Sequence, residues 1–274
     1  MVKKVAAIHD LSGIGRCSLT VALPILSALK VQCCPFPTAI LSSQTNFPKY
    51  SFLDLTNEMN NYKNIWTDLD ISFDCIYSGF LGSKDQIDIV LSFIGENKNS
   101  LVIVDPVMGD DGDLYPIFDI DMCKKIKSLV QKSDIVTPNL TEALILIEED
   151  FKNIELKKSN LIHIAKQVSD LGPSKVVITG IKIEDRIYNL SFDKLLDEIY
   201  FTSSPFNNIS YSGTGDIFTS ILTGMLLNGH SLKNSVIKAN NFISKVILYT
   251  SNFNTDKNDG VMFEMFLSEL TSQN

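Results

Sequence analysis

The sequence predicts a three-layer α/β/α fold with a mostly parallel central sheet, and three observations lead there. Short runs rich in Val and Ile alternate with longer segments of helical period from residue 3 to residue 179, the order that buries a sheet between two helix layers. The runs are apolar at nearly every position, as strands covered on both faces are. Polar and acidic motifs follow directly on several runs, at the strand ends where open α/β sheets form ligand crevices.

Strands are expected at 3–8, 31–35, 74–78, 101–105, 134–137 and 175–179, separated by helices at 17–29, 53–69, 84–97, 121–132, 140–148 and 161–171. The first strand, Val5-Ala6-Ala7-Ile8, ends its apolar run at His9-Asp10; so short a run after Lys3-Lys4 does not make a signal peptide. Residues 35–52 carry Pro35, Pro37 and Pro48. Proline donates no ladder hydrogen bond, so this stretch is expected as an edge strand or a flap over a pocket. Beyond it the pattern suggests a hairpin, 186–192 with 195–202, running into Asn207-Asn208, and then helices at 214–227, 232–249 and 261–270. No repeat, low-complexity tract or long linker interrupts the chain, so residues 1–274 are expected to form one domain carrying the 35–52 flap.

Lys and Arg total 24 against 32 Asp and Glu, a formal charge of -8. That balance repels nucleic-acid phosphates and anionic lipid, and there is no basic patch to override it. No stretch approaches the roughly 18 apolar residues of a membrane span, so a cytoplasmic protein is expected, with neither nucleic acid nor membrane as partner. Cys17, Cys33, Cys34, Cys75 and Cys123 have no C-x-x-C spacing, which suggests reduced thiols rather than disulfides or zinc. His9, His163 and His230 are scattered and read as structural or exposed, and no Ser-His-Asp order is supported. Trp66 and the Phe residues at helical spacing read as core. Any chemistry must then come from carboxylates, hydroxyls, backbone amides or a bound metal.

Ser212-Gly213-Thr214-Gly215-Asp216 precedes the apolar helical run 217–227. Glycines on both sides of Thr214 allow several N–H groups to point outward at the positive end of a helix, an anion cradle with Asp216 beside it as a base. An ordinary cap by Ser212 or Thr214 fits the same residues. Asp105, Asp110, Asp111 and Asp113 follow a strand end and read either as oxygen ligands for a hard cation with its phosphate or as a solvated turn. Asn139 and Glu142, in Thr137-Pro138-Asn139-Leu140-Thr141-Glu142, form a capping-box pattern; Glu142 aimed into the same crevice could also hold a metal-bound water. Asp10-Leu11-Ser12-Gly13-Ile14-Gly15 invites a dinucleotide reading, but Ser18 stands at the third glycine position and no Asp or Glu occurs between Leu11 and Leu53. A Rossmann dehydrogenase is therefore excluded, and a P-loop enzyme with it for want of its motif. Asp10 and Ser12 remain as groups to hold a polar small molecule.

Taken in order, residues 7–13, Ser78-Gly79-Phe80-Leu81-Gly82-Ser83, Asp105-Pro106-Val107-Met108-Gly109-Asp110, 137–142 and Gly213-Thr214-Gly215-Asp216 resemble the ribokinase-like superfamily, and within it the pyridoxal (vitamin B6) kinases, particularly the bacterial pyridoxamine kinase branch. The resemblance implies ATP-dependent phosphorylation of the 5′-hydroxymethyl group of pyridoxal, pyridoxamine or pyridoxine. It assigns Asp216 as base and the amides of Gly213, Thr214 and Gly215 to the transferring phosphoryl group. It places Asp105 and Thr137 near a monovalent cation such as K⁺, and Asp110, Asn139 and Glu142 around Mg²⁺ and the phosphates, with Tyr115 and Thr179 also near the phosphates. Asp10, Ser12, Phe80 and the flap residue Thr45 match positions on the vitamin, and a homodimer is implied.

Two departures stand out. Many pyridoxal kinases have His-Thr where this chain has Gln44-Thr45, and tyrosine where it has Phe80; a titratable group and a hydroxyl beside the substrate are thereby absent. The nearest rival is hydroxymethylpyrimidine kinase of thiamine synthesis, which shares the Asp-Pro-Val-Met segment. Gly109-Asp110-Asp111-Gly112 and the aspartate at 216 favour the B6 branch. A non-catalytic ligand-binding regulator on the same fold is the third reading, and the presence of Asp216, Asp110 and Glu142 weighs against it. On the adenine side only the loop 207–209 and the helix face near Asn240 suggest themselves.

Overall fold

The computed structural model describes residues 1–271. Its strands are β1 (Lys4–Ser12), β2 (Gln32–Leu41), β3 (Phe52–Asp54), β4 (Cys75–Ser78), β5 (Leu101–Val104), β6 (Gly109–Asp110), β7 (Asp113–Leu114), β8 (Ile135–Val136), β9 (Lys175–Ile183), β10 (Arg186–Asp193) and β11 (Glu198–Pro205). The helices are α1 (Ser18–Ala28), α2 (Thr56–Asp68), α3 (Lys84–Glu96), α4 (Ile120–Val130), α5 (Leu140–Ile147), α6 (Lys158–Asp170), α7 (Thr214–Leu227), α8 (Leu232–Thr250) and α9 (Ser268–Thr271). Nine strands form one sheet in the order β11-β10-β9-β8-β5-β4-β1-β2-β3. Pairing is parallel from β2 through β9 and antiparallel at both ends.

Successive strand residues feed opposite layers, because side chains alternate across a pleat. Ile76, Val104 and Val136 join the core beneath α2 to α6. Their neighbours Tyr77, Ile103 and Ile135 join the core beneath α1, α7 and α8. The three-layer fold follows from strands that are apolar on both faces. The chain reverses its direction of travel across the sheet at β1, which has β2 on one side and β4 on the other, and such a switch point opens a crevice at the strand C-termini. There the strand ends lie side by side: Gly79 N donates to Ile8 O, Asp105 N to Ser78 O and Thr137 N to Val104 O.

Several boundaries differ from expectation, each for a tertiary reason. β2 continues to Leu41, past both Pro35 and Pro37, and β3 pairs only with Ala39–Leu41. Among the described residues, β2 thus has a sheet neighbour on one side alone over 32–38, the setting that tolerates proline in a strand. Of the stretch 35–52, residues 42–51 lie outside the strands. Residues 53 and 54, expected at the start of a helix, and residue 52, expected in the flap, are drawn into β3, and Asp54 accepts a hydrogen bond from Thr56 N at the start of α2. β9 runs to Ile183 and the hairpin shifts, because Asp193 Oδ1 accepts from Leu195 N and Leu196 N and so sets the turn later. The expected helix 261–270 is a short 3₁₀ turn, Phe263–Phe266, followed by α9; Gly260 at φ 75° and the bond from Met262 N to Thr250 Oγ1 turn the chain before a helix can form. The acidic turn 109–114 is a tight ribbon, β6 with β7, whose tip residues Asp111 and Gly112 have φ 50° and 91°. All five cysteines are free, and Trp66 packs against Phe36, Phe73 and Phe93 as core.

Candidate active site

A cleft of about 730 Å³ runs along the strand C-termini, and the fifteen residues to which the resemblance assigns a role line it: Asp10, Ser12, Thr45, Phe80, Asp105, Asp110, Tyr115, Thr137, Asn139, Glu142, Thr179, Gly213, Thr214, Gly215 and Asp216. Asp113, on the outer strand of the ribbon, is not in the lining. Ile209 is in the lining but Asn240 is not: it lies buried under β10, where its Oδ1 accepts from Asn189 Nδ2 at 3.0 Å. From the same helix, α8, Ile247 does reach the lining.

At the centre is the start of α7. Gly213 caps the helix at φ 75°, and a Cβ there would lie 1.8 Å from Arg16 O. Only glycine fits both the left-handed backbone and that approach. No side chain caps this helix, so its first amides face the cleft at the positive end of the helix. Asp216 sits in the first turn, half-buried, with Oδ2 accepting from Ser18 N at 2.8 Å. Burial raises its pKa to about 7, opposed by that Ser18 bond and aided by the charge of Asp10. A carboxyl poised near neutrality suits a base.

Ser18 ties two acids together. Its backbone holds Asp216, and its hydroxyl donates to Asp10 Oδ1 at 2.5 Å, while Ser12 Oγ donates to Asp10 Oδ2 at 2.8 Å. Burial raises the Asp10 pKa despite these bonds. Sequence reasoning treated Ser18 only as a failed third glycine. Its φ of 51° shows that the glycine-like position was the signal, because the backbone there is left-handed. His9 is a second omission. Read as structural, it is fully buried with Nδ1 3.9 Å from Asp216 Oδ1 and 3.4 Å from the donating Phe80 N. Burial lowers its pKa to about 3, so it faces the acid as a neutral ring. A Cβ on Gly79 would lie 1.7 Å from that ring, which explains the glycine beside Phe80.

The acidic end is organised around Glu142. The capping box exists: Asn139 Oδ1 accepts from Glu142 N, and Glu142 Oε2 from Asn139 N, both at 2.9 Å. Glu142 Oε1 additionally accepts from Met108 N at 2.9 Å, joining α5 to the segment after β5. Asn139 Nδ2 donates to Gly109 O at 2.7 Å, and Thr179 N to Pro138 O. Asp105 takes a 3.3 Å bond from Thr219 Oγ1, whose other neighbour is Thr137 Oγ1 at 3.0 Å. Burial, and then the charge of Glu142, pushes the Asp105 carboxyl well above the usual range, and burial raises Glu142 too. A Cβ on Gly215 would lie 3.8 Å from Asp105 Oδ2, so the α7 turn sits directly over this acid. Among the described residues no three His, Cys, Asp or Glu side chains cluster closely enough to hold a metal by themselves. A cation that arrives with phosphates needs only one or two protein carboxylates.

Residues 23–262 match the family model described as phosphomethylpyrimidine kinase. The chain belongs to that family. A crystal structure of a Bacteroides thetaiotaomicron protein assigned as a phosphomethylpyrimidine kinase, in a form with pyridoxal, has a TM-score of 0.95 and 41% identity and covers 99% of this chain and 96% of that one. Pyridoxal kinase from Lactobacillus plantarum has a TM-score of 0.91 and 27% identity, covering 98% and 97%. A Staphylococcus epidermidis protein assigned as a pyridoxine kinase is 32% identical over 205 residues, 69% of this chain and 68% of its own length. The matches span 55% and 70% of the lengths of the first two curated relatives. Within this family the three-layer fold is the ribokinase-like one that the motifs suggested. No helix of the described residues is long and apolar enough to cross a membrane.

Proposed function

We propose that this family member transfers the γ-phosphoryl group of ATP to the 5′-hydroxymethyl group of a B6 vitamer, pyridoxal, pyridoxamine or pyridoxine. The observation that carries this reading is Asp216, a base near neutrality, standing in the same uncapped helix turn as the Gly213–Gly215 amides. The relative solved in a form with pyridoxal supports the choice of substrate. Asp216 accepts the hydroxyl proton as the oxygen attacks phosphorus; the bond from the γ-phosphorus to its bridging oxygen breaks, and ADP leaves. The amides of Gly213, Thr214 and Gly215 donate to the transferring oxygens, so catalysis rests on positioning and charge. Asp10, Ser12, Thr45 and Phe80 line the vitamin end, and Phe80 offers a ring face to stack on.

Asp110, Tyr115, Asn139 and Thr179 line the phosphate end. Asp105, Glu142 and Thr137 present oxygen donors only, a chemistry that fits Mg²⁺ and a monovalent cation such as K⁺. Bound there, the cations neutralise phosphate charge. The domain is a single unit with residues 42–51 as its flap, and the family resemblance points to a cytoplasmic homodimer, which sedimentation of the pure protein tests.

The family's description names a phosphomethylpyrimidine kinase, so hydroxymethylpyrimidine, the related pyrimidine alcohol, is the second candidate substrate. Replacing Asp216 by Asn tests the chemistry common to both. The variant should lose several orders of magnitude in kcat and still bind ATP, a difference read by single-turnover assay beside nucleotide titration. Undiminished turnover removes Asp216 as base, and absence of turnover in the wild type leaves a ligand-binding regulator.

A further inference from the structure

Gln44 stands where the resemblance predicts a group beside the substrate, yet its side chain is spent elsewhere. Its Nε2 donates to Ser212 Oγ at 3.2 Å and to Asn258 O at 3.1 Å, while its Oε1 accepts from Asn46 N at 3.0 Å. Its backbone N donates to Ile14 O at 3.0 Å, and a Cβ on Gly15 would lie 2.7 Å from Gln44 Cγ, so the side chain fills a notch left by that glycine. Asn46 Nδ2 also reaches Ser212 Oγ, and Asn258 Nδ2 returns to Asn46 O. Gln44 is 7% exposed although it lies in a surface loop. Ser212 is the residue directly before the Gly213 cap, and its N donates to Lys257 O.

We propose that Gln44 is a positioning residue, a latch that fastens the 42–51 flap to the anion-binding turn of α7. This deepens the kinase reading and rests on it. Two donors and one acceptor on a single planar amide are what the three contacts require. A neutral imidazole, with one donor and one acceptor, cannot make them all. The latch has two consequences. It holds Ser212 and therefore Gly213–Gly215 in place, and it closes the vitamin end against water. An unlatched flap admits a competing reaction in which water attacks the γ-phosphorus, the bond to the bridging oxygen breaks, and ADP, inorganic phosphate and a proton are released.

Two variants of the full chain test this. Gln44→Ala removes the latch; Gln44→Glu keeps the volume and loses both donors, so it serves where the first variant folds poorly. In the ligand-free protein, amide exchange at 212–216 and 258–260 should quicken about tenfold in either variant, the effect of losing one or two modest hydrogen bonds, with β10 and β11 unchanged. With ATP and pyridoxal, the wild type should form about one ADP per phosphorylated vitamer. The variants should form about twice that or more, with little change in KM for ATP. Unchanged exchange overturns the latch whatever substrate the enzyme takes, and so does a preserved one-to-one ratio. A wild type that phosphorylates no vitamer defeats the kinase reading instead, and the exchange result still decides the latch.

Discussion

Asp216 keeps a carboxylate in the cleft with one backbone donor, Ser18 N, and a neutral imidazole, His9, on its other side. With a pKa near 7 in the folded chain against about 3.9 unfolded, the folded state holds this proton more tightly. The stability it contributes is present below about pH 4 and lost as pH rises through about 7. Asp216→Asn should therefore raise the melting temperature of the ligand-free protein at pH 8 by about 2–4 °C, the shift that about 1 kcal/mol produces in a chain of this size. It should have little effect at pH 4, and a scan at both pH values checks this. For catalysis the sign reverses: the base must be ionised, so kcat/KM should fall on the acid side of about pH 7. The turn that sets Asp216 beside Gly213–Gly215 was legible because residue type and spacing alone suggest a glycine-flanked helix start with an acid in its first turn. Ser18 and His9 were not, because Ser18 reaches Asp216 through its backbone amide and His9 faces it only through a contact between β1 and α7.

The elements place these residues with little tolerance. Gly213→Ala meets Arg16 O and needs a left-handed alanine, so it should destabilise by about 1–3 kcal/mol and cut kcat more than Asp216-independent ATP binding; denaturant unfolding and nucleotide titration separate the two. α5 presents the opposite case. Glu142 both closes the capping box and receives Met108 N, so Glu142→Gln, which trades an acceptor for a donor, should lower stability by about 1–2 kcal/mol. It should also raise the Mg²⁺ concentration needed for half-maximal rate. An unchanged Mg²⁺ titration reduces Glu142 to its structural bonds. At this scale the alternation of strands and helices was readable because strands buried on both faces are continuously apolar. Boundaries moved where a partner strand decided them: β3 captured residues 52–54, and β2 outran its prolines because β3 is short.

Across the whole molecule, a chain of net charge -8 gathers six acids, Asp10, Asp105, Asp110, Asp111, Glu142 and Asp216, into one cleft. Burial raises Asp10, Asp105, Glu142 and Asp216, so these acids resist ionisation, and under the proposed function a cation-bound nucleotide is expected to relieve that resistance. The thermal stabilisation given by Mg²⁺ with ATP should grow from pH 5 to pH 8, since binding draws on the ionised acids; a calorimetric series across that range reads it. Net charge was readable in the sequence, but only the fold shows the acids converging, since they come from the ends of β1 and β5, the β6–β7 ribbon and the starts of α5 and α7. The most direct measurement is a side-by-side steady-state comparison of kcat/KM with ATP and pyridoxal, pyridoxamine, pyridoxine or hydroxymethylpyrimidine, with the product's phosphate located by NMR. A B6 kinase gives a 5′-phosphate and at least one vitamer turned over more efficiently than the pyrimidine. Faster phosphorylation of hydroxymethylpyrimidine than of every vitamer would contradict it.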